Sequence, residues 1–182
     1  MKKILIVLGS LFVLFLVVTL ILIGVAPQEF GVEREVVINR PKAEVFEYVR
    51  QLKNQSEWGP WMKRDPDIKI DYRGNDGEVG FVSAWESKKE EVGAGEQEIK
   101  KVMPGQRIEY ELRFKSPMET TSRAWITTEA AGEGKTTVKW GFKGKMPAPL
   151  NALMLFIDME GPIAKDFDEG LASLKKTLES RD

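Results

Sequence analysis

The chain contains no cysteine and no histidine. Without thiols there are no disulfides, thiolate nucleophiles or cysteine-bound metals, and without imidazole the commonest general base and metal ligand are both missing. Chemistry is therefore restricted to carboxylate, lysine or tyrosine groups, or to a hard cation held by oxygens, and no cofactor is implied. A surplus of positive charge is lacking too. Of the 27 Lys and Arg, Lys2 and Lys3 stand at the start, leaving 25 against 28 Asp and Glu in the remainder. The two signs are interspersed, so there is no basic stripe of the kind nucleic acid binding requires. Internal repeats and low-complexity tracts are also absent.

What the chain does have is one long hydrophobic run. Ile4 to Val25 is 22 residues without a charge, which as a helix would span roughly 33 Å, enough to cross a hydrocarbon core. The rival reading is a cleaved signal peptide, whose apolar stretch is shorter, roughly 7 to 15 residues, and ends in a small-x-small site. Gly24-Val25-Ala26 matches such a site only faintly, and Pro27 follows it directly. Residues 1–27 are therefore expected to form a transmembrane anchor with a short N-terminus, and residues 28–182 one domain with its own core. Lys2 and Lys3 before the span, with Gln28 and Glu29 after it, predict a cytoplasmic N-terminus and a domain on the outer side.

Beyond the run, Val32 to Asn39 is rich in Val and Ile and predicts a first strand. Asn39 is placed to cap a short amphipathic helix over Lys42 to Gln51, with Pro41 in its first turn and Val45, Phe46 and Val49 on one face. Trp58 and Trp61 flank Gly59-Pro60 in a compact turn expected to pack on the core.

Short alternating segments separated by turn residues follow, the pattern of an antiparallel meander. Ile68, Ile70 and Tyr72 share one face; so do Phe81, Ser83 and Trp85; so do Gly95, Gln97 and Ile99; and Ile108, Tyr110, Leu112 and Phe114. Thr120 to Glu129 is a further strand whose inward face the pattern leaves open, because Trp125 has one parity and Ala124 and Ile126 the other. Val138, Trp140 and Phe142 share a face of the last strand. A short apolar piece then runs from Leu150 to Ile157, a break is expected at Gly161-Pro162, and a long helix reaches about Glu179. Its stripe contains Ile163, Phe167, Leu171, Leu174 and Leu178, and the concave face of the sheet is the partner expected for it.

The stretch EREVVINRPKAEVFEYVRQLKNQSEWGPW and the terminal KDFDEGLASLKKTLE resemble the START-like or Bet v 1-like helix-grip superfamily (SRPBCC), and within it the bacterial polyketide cyclase/dehydrase group. The resemblance covers about Val32 to Glu179, with Trp58 and Trp61 matching two aromatics of the group and Arg40 standing where a small residue is usual. It implies an α+β helix-grip fold: a curved antiparallel sheet of about seven strands wrapped on a long C-terminal helix, here preceded by one transmembrane helix. It carries no catalytic residue over to this chain, because folds of this type host carriers, receptors and cyclases alike.

The inward residues of the meander and the helix are the candidates for a ligand cavity: Phe81, Ser83, Trp85, Gln97, Ile99, Tyr110, Leu112, Trp140, Phe167 and Leu171. Ser83, Gln97 and Tyr110 are polar at inward positions, which a packed core disfavours unless each finds a partner. Gly95, Gly141 and Gly170 are read as leaving volume near the aromatics. Asp158, Glu160, Asp166 and Asp168 are read as solvated carboxylates near a helix start rather than an acid/base pair or cation site. Asn54-Gln55-Ser56 fits a glycosylation sequon.

Three functions follow from these features. The first is a membrane-tethered protein that binds a small hydrophobic or lipid-like molecule. The second is a cyclase or dehydratase in which Tyr110 or an inward carboxylate moves a proton. The third is an interaction module with a filled core.

Overall fold

The computed structural model describes residues 2–181. A 24-residue apolar helix, α1 (Lys2–Val25), comes first, and none of its residues is buried against the rest of the chain. Three residues link it to β1 (Glu29–Ile38). Next come α2 (Lys42–Arg50), a 3-10 turn (Leu52–Asn54), and the short helices α3 (Gln55–Trp58) and α4 (Pro60–Arg64). A meander follows: β2 (Lys69–Arg73), β3 (Val82–Glu86), β4 (Ala94–Met103), β5 (Arg107–Ser116), β6 (Thr120–Ala130) and β7 (Thr136–Lys145). A 3-10 segment (Leu150–Leu155) leads to the closing helix α5 (Glu160–Glu179).

The seven strands form one antiparallel sheet in the order β1-β7-β6-β5-β4-β3-β2. Sequential strands pair through connections of three to eight residues, short enough to favour neighbours, and β1 closes the far edge by pairing with β7. The α+β helix-grip architecture expected from the sequence is the one observed. α5 lies against β1 and β7, with α3 and α4 beside it. Its buried stripe of Ala164, Phe167, Leu171, Leu174 and Leu178 meets Ile38, Val45, Ile108, Ile126 and Val138 in the core.

Two local expectations are corrected and one open face is assigned. Asn39 does not cap α2, whose N-cap is Pro41; its backbone amide and Nδ2 both donate to Glu179 Oε1 at 2.8 Å, tying the end of β1 to the end of α5. Gly161-Pro162 lies inside the first turn of α5, where a proline's missing N–H costs no bond. The face left open on β6 is settled by Ala124 and Ile126, both buried, while Trp125 points outward. There its indole donates to Glu33 Oε2 at 2.7 Å and its ring lies 4.9 Å from the Arg107 guanidinium. Gly141, directly opposite, makes this possible: a Cβ there would lie 2.0 Å from the ring.

Candidate functional site

The sheet curls away from α5 on the side of β2 to β5, and the space between them is a cavity of about 510 Å³. Ile68, Ile70, Tyr72, Leu112 and Phe114 line it from the sheet side, Trp61 and Met62 from α4, and Met159, Ile163 and Phe167 from α5 and the segment before it. Ser83 and Gln97 face each other in the β3–β4 register and put one hydroxyl and one amide on this apolar wall.

Of the ten residues the sequence suggested, the structure brings six to the wall: Ser83, Trp85, Gln97, Leu112, Trp140 and Phe167. The other four, Phe81, Ile99, Tyr110 and Leu171, are packed behind it at 2 % exposure or less. Tyr110 differs most from its expected role. Its hydroxyl is buried without a hydrogen-bond partner, and loss of solvation pushes the phenol well above its ordinary range. It keeps its proton at neutral pH and does not reach the cavity.

The glycines also act differently from expectation. Gly95 and Gly170 leave no room for a ligand, because the rings of Trp85 and Trp140 occupy it; an added Cβ would come within 2.7 Å of either ring. Each tryptophan is thereby fixed. Trp85 Nε1 donates to Val92 O at 3.2 Å and its ring meets Phe114 edge-on at 5.8 Å. Trp140 stacks on Phe167 at 4.0 Å and receives the edges of Trp58 at 4.9 Å and Trp61 at 5.7 Å. Trp58 is core, as expected, but Trp61 is half-buried on the cavity wall. Ile68, Ile70 and Tyr72 line the wall as well, and their shared parity with the inward faces of the next strands is the sequence signal that points to them.

One side of the mouth is held by polar contacts. Asp166 receives both guanidinium nitrogens of Arg64, one of them at 3.0 Å, and these bonds raise the arginine further above its ordinary range. Lys89 Nζ donates to Arg64 O, and Ser87 Oγ donates to Asp65 Oδ2, which holds that carboxyl below its ordinary range. These contacts tie α4, the β3–β4 turn and α5 together. Exposed Glu90, Glu91, Ser116 and Pro117 complete the rim.

The remaining carboxylates are exposed, as expected, and each makes a contact at the surface. Asp158 Oδ1 accepts from the amides of Glu160 and Gly161, Glu160 accepts from Gly31 N at 3.0 Å, and Asp168 pairs with Arg34 at 3.4 Å. Among the described residues no group of three acidic side chains is arranged to hold a metal ion. The sequon asparagine, Asn54, donates its side-chain amide to Tyr48 O at 2.9 Å.

A comparison with curated proteins finds no match to the chain. Solved structures share its fold at low sequence identity. A solution structure from Thermobifida fusca aligns with a TM-score of 0.62 at 18% identity, covering 83% of this chain and 95% of its own. A crystal structure of a Mesorhizobium loti protein gives 0.60 at 17%, covering 84% and 99%. The Aha1 dimer from Colwellia psychrerythraea gives 0.56 at 15%, covering 83% and 97%. Residues 29–179, all of the sheet and all of α5, match the family model described as polyketide cyclase / dehydrase and lipid transport, and the chain belongs to that family.

Proposed function

We propose that residues 28–182 bind a small hydrophobic or lipid-like molecule in the cavity, and that residues 1–27 anchor this domain to a membrane with the N-terminus cytoplasmic. The observation that carries the reading is the cavity itself. About 510 Å³ lined by aromatic and aliphatic side chains, with Ser83 and Gln97 as polar points, suits a ligand that is mostly apolar and carries one or two hydrogen-bonding groups. The family's description includes lipid transport, which agrees with that chemistry. A proton-transfer enzyme is less well supported, since Tyr110 is sealed behind the wall and Asp166 is neutralised by Arg64. Anchoring is supported by the uncharged run from Ile4 to Val25 and by Lys2 and Lys3 ahead of it.

Titrating the detergent-purified full chain with fatty acids, isoprenoids and aromatic polyketides, read through tryptophan fluorescence, tests the binding. Trp61, Trp85 and Trp140 all lie on the wall, so a saturable change is the expected result, together with a rise in melting temperature by mass action. No saturable change in a chain shown to be folded would leave an interaction module as the better account. A reporter fused to the C-terminus tests the topology, and activity of a cytoplasm-only reporter there would overturn it.

A further inference from the structure

The register of the sheet defines two ends. At one, β1 begins where β7 finishes, with Glu29 opposite Lys145, and Gly31 N bonds to Glu160 at the start of α5. The β5–β6 turn and the β3–β4 turn belong to this same end, because Ala94 is paired with both Ser116 and Glu86. The cavity's rim residues Glu90, Val92, Ser116, Pro117 and Met159 therefore all lie at the end where α1 joins the domain. The β6–β7 turn and the end of α5 lie at the other.

Between β7 and α5 the chain runs through Met146 to Ile157, twelve residues without a charge. A folded domain in water ordinarily hides such a segment, yet this one displays Leu150 (45%), Leu153 (47%), Leu155 (42%), Phe156 (74%) and Ile157 (51%). Clustered exposure of this kind marks a surface that meets something apolar. What it meets is indicated by Asn151, which is fully buried and donates its Nδ2 to Ile23 O at 2.9 Å and Ala26 O at 3.1 Å. Those carbonyls belong to the last turn of α1 and to the residue that follows it. Met146 N bonds to Gln28 O at 2.9 Å just beyond it. The exposed apolar side chains are thus latched beside the point where the helix emerges, and α1 at 24 residues is about 36 Å long against about 30 Å of hydrocarbon, which puts that point at the headgroup level.

We propose that Leu150–Ile157 dips into the headgroup–acyl boundary of the bilayer that α1 crosses, so that the cavity's mouth faces that bilayer and exchanges its ligand with it directly. This rests on the membrane-anchoring reading given above. The segment behaves as an interfacial element, in which apolar side chains enter the boundary while backbone groups stay within reach of water. Phe156 is the deepest point. Met118, exposed on the β5–β6 turn beside Pro117, brings the opposite rim to the same surface.

Because the chain lacks cysteine, each introduced cysteine carries a single label. Phe156→Cys, Leu153→Cys, Met118→Cys, Ser10→Cys within α1 and Glu133→Cys on the distal β6–β7 turn all replace exposed side chains, so folding is not at stake. Each full-length variant is labelled with nitrobenzoxadiazole and reconstituted into phosphatidylcholine vesicles. Quenching by a nitroxide on the lipid acyl chain is then compared with bleaching by aqueous dithionite. The labels at 153 and 156 should be quenched by the lipid nitroxide at least about threefold more than the label at 133, with the label at 118 in between. If 156 is as water-accessible as 133 while 10 is quenched by lipid, the helix is inserted, the loop stays in water and the inference fails alone. Quenching at 156 with 118 as wet as 133 overturns the orientation of the mouth. If 10 itself is bleached by dithionite, the anchoring reading falls and the inference falls with it.

Discussion

The two halves of the interior share one sheet and one helix, yet one is filled and the other hollow. At the distal end, Leu174 and Leu178 of α5 interlock with Ile38, Val45 and Val138, all at 1 % exposure or less. Toward the mouth, α5 offers Ile163 and Phe167, while β2 and β3 are only five residues long and stand off from the helix. The strands alternate inward and outward in both halves. Closeness of the helix decides whether an inward side chain becomes core or wall, and that distance is a property of sheet curvature rather than of any one strand.

Substitution can break this comparison or sharpen it. The largest effect is expected in the filled half: Leu174→Ala should lower stability by about 2 to 5 kcal/mol, since a closely packed site cannot collapse around the lost side chain. Chemical unfolding of the full chain in detergent reads this out, with probe affinity at the remaining folded population unchanged. In the hollow half the balance reverses. Ser83→Leu should change stability by no more than about 1 to 3 kcal/mol, because the new side chain enters open volume, while probe affinity falls in the fluorescence titration. A large stability loss without an affinity change would mean the two halves do not differ.

The smallest effect is expected on the outer face of the hollow half, where Glu96 of β4 gathers Lys115 and Arg113 of β5 and Arg73 of β2. Ala84, opposite Glu96 on the intervening β3, is small enough for Arg73 to reach across. Hydrogen bonds from Lys115, then Arg113 and Arg73, lower the Glu96 carboxyl from 4.5 to about 2. A lowered folded-state value stabilises the fold above the unfolded-state value, and that stability disappears as pH falls through the folded one. Glu96→Gln should therefore cost about 0.5 to 1 kcal/mol at neutral pH, the site being near solvent. The difference from the parent should shrink below pH 4.5 and vanish near pH 2 in urea unfolding across that window.

The fold was legible because its signals are local. Period-two runs such as Ile108-Tyr110-Leu112 and the five-residue apolar stripe of α5 need no knowledge of their partners. The cavity was legible only in part, because its signals are relational. Gly95 reads as space until Trp85 is found lying across it, and Tyr110 reads as a polar cavity point until Phe81 and Ile99 are found packed with it in the core. Trp125 has the residue type of the core and belongs to the surface, since Gly141 on the next strand and Arg107 beside it make an outer seat for the ring. Leu150 to Ile157 was visible as an apolar piece; that it stays uncovered was not.

The connection between α1 and β1 consists of Ala26, Pro27 and Gln28 alone. Fully extended, three residues cover about 10 Å, and Asn151 shortens even that freedom by gripping the helix end. With α1 in a bilayer, the domain would have almost no reach of its own. It could serve molecules that arrive at its patch of membrane, but delivery to a distant acceptor would require the acceptor to travel to it.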